Sequence, residues 1–338
     1  MKSNYLFMMF CLLASGFIGC SDDDGDNWKK TFEDEQARIK DFVYSKDSDP
    51  KIFTYHYTYL KENIEDYAYL FNYQKEGKKA TYGDFVWINY TQKSLNGAII
   101  DATDVSVAGG AKITPYYSLG GPILVQMNTE DKYIDPLSDL LMNIPEGTTG
   151  STIVSSVMSL SSTFVYRDYT VRGIVTEHNL LDYEESLIKN YLDTVSGLDK
   201  NNIFEFTSND EIVNNDTIAK IAKFKVGTGT EISVTDSVTM WIEGYILDAF
   251  GTSRKFTKMN EDEESVIENV SDLRPSGLRL AMMRLNVDDE VQVLIPSGMG
   301  YGYRGGFDPL TGQCMIPSYS TLLYKIKVID TKKNPKKD

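Results

Sequence analysis

Cysteine and histidine are scarce in this chain of 338 residues, which has three of the first and two of the second. Cys11 and Cys20 fall in an apolar leader segment, so Cys314 alone remains for a folded body and no intramolecular disulfide is expected. The histidines, His56 and His178, lie outside the stretches that read as domain cores, which leaves no histidine-based triad or zinc site with sensible spacing. Basic charge is also short. Lys and Arg number 34 against 49 Asp and Glu, a net charge of −15. That balance argues against nucleic acid as a partner and against electrostatic adhesion to anionic membranes. After Cys20 no apolar run is long enough to cross a bilayer as a helix.

The apolar residues that do run together stand at the start. Lys2 supplies one positive charge, Tyr5 to Leu13 (YLFMMFCLL) is unbroken, and small residues lead to Phe17-Ile18-Gly19-Cys20. The run is too short for a permanent span and has the layout of a cleaved secretory signal. A small residue directly before a cysteine resembles the lipobox of bacterial lipoproteins. The resemblance implies cleavage after Gly19 and acylation of Cys20, each buried methylene adding about 0.8 kcal/mol of anchoring. Ser21 to Asn27 (SDDDGDN) is acidic and free of apolar side chains, which reads as a solvated tether. It resembles the acidic export tract of some surface lipoproteins and reads also as a plain spacer. The expected location is therefore an outer membrane-anchored lipoprotein on the cell surface or the periplasmic face, touching the membrane through its lipid only.

The remaining length suits two domains, and 41% hydrophobic with 12% aromatic residues is enough for real cores. The chain reads as a tandem repeat. Asp34 to Val43 and Tyr183 to Leu192 have the same helical pattern, Ile39-Lys40-Asp41-Phe42 matching Ile188-Lys189-Asn190-Tyr191 at an offset of 149 (188 − 39). Gly83 to Tyr90 matches Thr235 to Ile242 at an offset of 152 (236 − 84). Two matches at nearly one offset point to duplication. The expected layout is a signal peptide at 1–19, a tether at 20–33, a helical linker region at 34–79 and a first domain at 80–180. A second linker and domain entry follows at 181–235, then a second domain at 236–330 and a basic tail at 331–338.

The second domain is the more legible. Ser237 to Leu247 alternates and is rich in β-branched and aromatic residues, which predicts a strand. Ser276 to Leu285 predicts a short helix, with Ser276 as its cap and Leu278, Ala281, Met282 and Leu285 as its apolar stripe. Glu290 to Ile295 alternates again, and Pro296 ends it. Ser297 to Gln313 is glycine-rich and predicts a long loop. Thr321 to Ile329 is the last strand, with Leu322, Tyr324, Ile326 and Val328 inward. A short helix among antiparallel strands implies an α+β fold.

Gly277 to Ile329 resembles the C-terminal half of an FKBP-type peptidyl-prolyl cis-trans isomerase. The resemblance rests on Gly277-Leu278-Arg279-Leu280-Ala281, Val287-Asp288-Asp289, Leu294-Ile295-Pro296, Gly300-Tyr301-Gly302 and Ile316-Pro317-Ser318-Tyr319-Ser320-Thr321-Leu322, in the family's order and spacing. Trp241-Ile242-Glu243-Gly244 stands where the family has H-Y-T-G. In the first unit Ile88-Asn89-Tyr90-Thr91 matches that motif better, and Leu95 to Asp101 resembles L-x-D-G-x-x-F-D. Asp135 and Pro136 would open that unit's short helix, Leu137 to Met142. The resemblance implies two tandem FKBP-like domains, each an antiparallel sheet packed on a short helix, joined by helical linkers.

It also implies a site. Prolyl isomerisation crosses an amide barrier of roughly 18–20 kcal/mol without breaking a covalent bond, so it needs no cofactor and no metal. It needs apolar walls and a hydrogen-bond donor that suits the twisted amide. Tyr301 would be the donor, and Tyr324, Leu278, Ile316 and Phe256 the walls; Tyr324 and Leu278 read also as plain core residues, and for Leu278, on the helix stripe, that is the better reading. Two departures stand out: Leu278 replaces the family's tryptophan, and Phe256-Thr257 lacks the carboxylate of the phenylalanine-aspartate pair. The first unit keeps Tyr90 and Asp101 but runs from Ser159 to Thr163 almost straight into its last strand without a tyrosine flap, which marks its site as degenerate.

Two functions from different classes follow. One is a weak prolyl isomerase or folding helper for exported proteins, acting on proline-containing polypeptides. The other is a non-catalytic binding protein for a peptide, a glycan or a partner lipoprotein. Gly300-x-Gly302-x-x-Gly305 follows a strand but leads to Phe307-Asp308-Pro309 rather than a helix, against dinucleotide binding. Asn260 to Glu264 (NEDEE) lacks the alternating ligands of a calcium loop and reads as solvated.

Overall fold

The computed structural model describes residues 25–127, 135–176, 179–207, 217–251, 254–257 and 264–333. The signal segment with Cys20, His178, residues 260–263 of the NEDEE stretch and the tail from 334 lie outside the described residues. The chain divides into two compact units, 1–116 with 120–176, and 117–119 with 177–338.

The first unit runs α1 (Gly25–Lys46), β1 (Lys51–Tyr59), β2 (Glu62–Phe71), β3 (Phe85–Lys93), β4 (Ile99–Ala102), α2 (Val105–Ala111), β5 (Ile123–Gln126), α3 (Pro136–Leu141), β6 (Thr149–Val154), α4 (Ser156–Ser159) and β7 (Val165–Val175). The second runs α5 (Leu180–Thr194), β8 (Ile203–Thr207), β9 (Ile218–Lys225), β10 (Ser237–Leu247), β11 (Arg254–Lys255), β12 (Ser265–Ile267), α6 (Ser276–Met282), β13 (Glu290–Ile295), β14 (Gly306–Phe307), β15 (Cys314–Ile316) and β16 (Thr321–Lys332). The first sheet has the order β1-β2-β6-β7-β3-β4, with β5 also on β3. The second has the order β8-β9-β13-β16-β10-β11, with β12 also on β10. Strand for strand the two orders are the same, all pairs antiparallel. The fold is α+β, and the duplication predicted from two sequence offsets is a duplication of topology.

Three predicted regions differ in the structure. Gly25 to Glu33, expected in the tether, is already helical. The regions 34–79 and 181–235 are not linkers. Each holds a helix followed by a hairpin, β1-β2 or β8-β9, and the hairpin joins the sheet through β2-β6 or β9-β13. The helices lie against the sheets because their apolar stripes demand cover. Ile39 and Val43 of α1 pack on Tyr69, Phe71 and Ile153. Ile188 and Leu192 of α5 pack on Ala222, Leu294 and Leu323. The larger core of the second unit fills the opposite face of its sheet, where Leu278, Ala281 and Met282 of α6 meet Val293, Ile295, Leu322, Tyr324 and Ile326.

Local chemistry repeats too. Asp84 and Asp236, just before β3 and β10, are both buried. Each folds back on a turn: Thr81 N–H donates to Asp84 Oδ2 and Ser233 N–H to Asp236 Oδ2, both at 2.7 Å. Helix α3 opens as predicted, with Asp135 accepting from Ser138 N–H and Pro136 in the first turn. Helix α6 does not. Pro275 is its cap and makes no side-chain cap bond, while the Ser276 hydroxyl donates to Met299 O at 3.3 Å. The serine holds the neighbouring loop rather than the helix end.

Candidate functional site

In the second unit the candidate residues rise from three elements. Tyr324 stands on β16, opposite Gly244 of β10. Phe256 follows β11, and its N–H donates to Gly244 O at 2.9 Å. The two rings meet edge to face, with centroids 5.5 Å apart and planes at 86°, a geometry aromatic quadrupoles favour. Gly244 makes room for them. A Cβ there would fall 2.4 Å from Phe256 Cζ and 3.0 Å from Tyr324 Cε1. The glycine that sequence reading took as the end of a motif is thus the seat of the ring pair. Gly244 N–H in turn donates to Thr257 Oγ1 at 3.1 Å, so the threonine in place of the family carboxylate takes up a backbone donor.

Tyr301 reaches the same cluster from the long connection after β13. The connection starts with a single turn at Ser297–Met299, makes a second at Gly302–Arg304, and crosses β14 and β15 before β16. Gly305 has φ +70°, and a Cβ on it would lie 2.4 Å from Ile316 O, so only glycine lets the flap lie on β15. Next to it Gly306 pairs with Ile316 and faces the Tyr301 ring. Tyr301 packs half-buried on the core that holds Ile316, Leu278 and Tyr324. Tyr324 is hydrogen-bonded to Tyr301. Burial pushes the Tyr324 phenol well up, and this bond raises it further. The same bond acts on Tyr301 in the other direction, against the larger upward push of burial. The two phenols therefore share one hydrogen bond at the edge of the apolar cluster, in which either hydroxyl can donate.

All five residues expected at the site, Tyr301, Tyr324, Leu278, Ile316 and Phe256, belong to or pack against one apolar cluster. Leu278 is buried as part of that core. Cys314 is buried, and burial pushes its thiol up to about 12, so it is an inert core residue. Among the described residues no group of His, Cys, Asp and Glu could hold a metal ion.

The first unit differs at the corresponding place. Where β10 and β16 pair Gly244 with Tyr324, β3 and β7 pair Gln92 with Arg167. The Arg167 guanidinium lies over the Tyr90 ring, 4.6 Å from its centroid. It donates to Gln92 Oε1 at 3.0 Å and to the Tyr169 hydroxyl at 3.1 Å. Tyr90 donates to Asp101, whose other oxygen accepts from Tyr116 N–H at 2.9 Å. Tyr90 and Asp101 are thus together, as expected, but in a charged and hydrogen-bonded cluster. Sequence reading missed Arg167, because only the strand register brings it under Tyr90.

Among the described residues, the site is a half-buried tyrosine hydroxyl on an apolar ring cluster, Tyr301 on Tyr324, Phe256, Ile316 and Leu278. Residues 228–329 match the family model described as FKBP-type peptidyl-prolyl cis-trans isomerase. The matched stretch of the second unit, which holds β10 to β16, is of the FKBP type, and the first unit has the strand order of the second. Among solved structures, the chain is similar to a peptidyl-prolyl cis-trans isomerase from Pseudomonas syringae pv. tomato, with 16% identity, 46% of this chain and 94% of that one covered, and a TM-score of 0.33. It is similar also to the three FKBP domains of wheat FKBP73 (12% identity, 80% and 95% covered, TM-score 0.30) and to FkpA from Escherichia coli (18% identity, 46% and 62% covered, TM-score 0.31). No curated protein matches the chain.

Proposed function

We propose that the second unit is a prolyl cis-trans isomerase of modest rate that helps exported polypeptides fold. The observation that carries this reading is the Tyr301–Tyr324–Phe256 cluster. A proline ring would rest on Tyr324, Phe256 and Ile316, and Tyr301 would donate to the carbonyl before proline. The planar amide is more dipolar than the twisted one, so a dry apolar wall disfavours the ground state and the phenol donor favours the twisted form. The uncatalysed exchange takes tens to hundreds of seconds, which leaves room for even a weak catalyst. In the first unit the Arg167 guanidinium and Asp101 carboxylate stand in place of such walls, and we assign that unit no isomerase activity.

A second reading is supported by Thr257 and Leu278, the two departures from the family pattern: a binding module that holds a peptide, a glycan or a partner lipoprotein without catalysis. The test is a prolyl-isomerisation assay on the full chain, with Tyr301→Phe and Tyr324→Ala. Acceleration above background that falls in both variants is expected. A folded protein with no acceleration overturns the enzyme reading and leaves the binding module. Anchoring at an outer membrane is supported by Phe17 to Cys20 alone. It is tested by metabolic labelling with a fatty acid, which Cys20→Ser should abolish.

A further inference from the structure

Glu184 stands on α5, a helix that supplies none of the site residues, yet it is buried to 1% exposure. Its Oε1 accepts from Ser297 N–H at 2.6 Å and from the Thr321 hydroxyl at 2.9 Å, and its Oε2 from the Ser297 hydroxyl at 3.2 Å. Ser297 opens the connection that carries Tyr301, and Thr321 opens the strand that carries Tyr324. One carboxylate therefore grips both segments whose tyrosines meet. We infer that Glu184 is a positioning residue for the isomerase site, a clamp that sets the Tyr301 phenol against Tyr324. This rests on the reading of the second unit as an isomerase.

The first unit shows the simpler form of the same device. Glu35 precedes Glu184 by 149 residues (184 − 35), the offset of the two helices, and its Oε1 accepts from Ser156 N–H at 2.7 Å. Ser156 stands two residues past β6, as Ser297 stands two past β13. The place that corresponds to Thr321, three residues before Arg167 as Thr321 is three before Tyr324, is Phe164. Phenylalanine has no hydroxyl to donate, so the arm to the last strand is a feature of the unit with the tyrosine flap. A buried carboxylate is costly to keep in an apolar helix interface. Leucine in its place would leave the buried Ser297 N–H and Thr321 hydroxyl without an acceptor, so the carboxylate is kept for the two segments it joins.

The test uses the full chain labelled with fluorotyrosine, the Tyr301 and Tyr324 resonances being assigned by single Tyr→Phe variants. In Glu184→Leu both resonances should shift while Tyr90, in the first unit, stays. Isomerisation should fall by roughly tenfold or more, as for a misplaced catalytic group, in kcat more than in KM. Glu184→Gln keeps an acceptor for Ser297 N–H and should recover most of the loss. Thr321→Val removes one arm at constant volume and reports the same tyrosine shift if Glu184→Leu does not fold. Unmoved tyrosine resonances in Glu184→Leu, or in Thr321→Val where Glu184→Leu does not fold, overturn the clamp. So does a Glu184→Gln variant no better than Glu184→Leu. A wild-type chain without isomerase activity whose tyrosines still shift would sink the enzyme reading and leave the clamp standing.

Discussion

The two units share a strand order, a covering helix, a buried aspartate turn and a glutamate grip, and they part at the surface of one strand pair. Gly244 opposite Tyr324 leaves an apolar ring cluster; Gln92 opposite Arg167 fills the same place with a guanidinium and its acceptors. They part again in the connections from β6 to β7 and from β13 to β16, where residues 155–164 suffice in one unit and residues 296–320 carry the Tyr301 flap in the other. The packing that makes the fold is common to both, and the chemistry sits in a few positions that the packing leaves free.

The largest effect that would sharpen this comparison is in the shared packing. Ile39 and Ile188 are both fully buried at equivalent helix positions. Alanine at either should destabilise its own unit by about 2–5 kcal/mol, the usual cost of emptying a buried isoleucine site. Hydrogen exchange read on β2 and β6 for the first variant, and on β9 and β13 for the second, measures each. A loss confined to one variant would mean that the helix covers are not equivalent.

Next comes the pH dependence of the second unit. Burial lifts the Glu184 carboxyl from its ordinary 4.5 to about 7, against the pull of its three donors. Between those values the folded state holds a proton that the unfolded state releases, so stability falls as pH rises from 4.5 to 7. The slope amounts to about 1–3 kcal/mol over the window. Glu184→Gln, which cannot titrate, should flatten it in denaturant titrations followed by exchange in β13 and β16. A slope that survives the substitution belongs to another group.

Gly244→Ala tests the difference itself. Its methyl would overlap the Phe256 and Tyr324 rings, costing about 1–3 kcal/mol as overpacking does. It should lower isomerisation by about a hundredfold if the rings are the proline wall. Gln92→Ala, at the matching place in the first unit, adds no volume and should leave isomerisation unchanged. Equal activity in wild type and Gly244→Ala would remove the ring pair from the site.

Much of this was legible before the structure. Ser237 to Leu247 and Glu290 to Ile295 are strands with the bounds their alternation gave, and Asp135-Pro136 opens a helix as capping chemistry requires. The hairpin β1-β2 was not legible. Its turn residues Leu60 and Lys61 have φ of 48° and 70° without a glycine or asparagine to announce it. The tyrosine and phenylalanine alternation from Phe53 to Tyr59 was the signal that remained. Arg167 and Glu184 were hidden for a different reason. Their partners lie 75 and 113 residues away, and a bulge in the β3-β7 register between Trp87 and Ile88 shifts which side chains face each other.

The smallest effect bears on how far the duplication reaches into local chemistry. Asp84 and Asp236 sit at one offset in the sequence and at the same place in the fold, each accepting a backbone N–H from three residues back. Alanine at either should cost about 0.5–2 kcal/mol, the range for a lost side-chain cap on buried backbone donors. Asp236 also holds Lys333 at 2.7 Å, but half of that lysine side chain is exposed, so Lys333→Ala should change stability by at most about 1 kcal/mol. If the turn bond is the shared function, Asp84→Ala and Asp236→Ala lose similar amounts, and Lys333→Ala in the Asp236→Ala background adds nothing. An Asp236→Ala loss that Lys333→Ala reproduces alone would show that the second aspartate had been turned to anchoring the end of β16, and that the repeat is older in its backbone than in its charges.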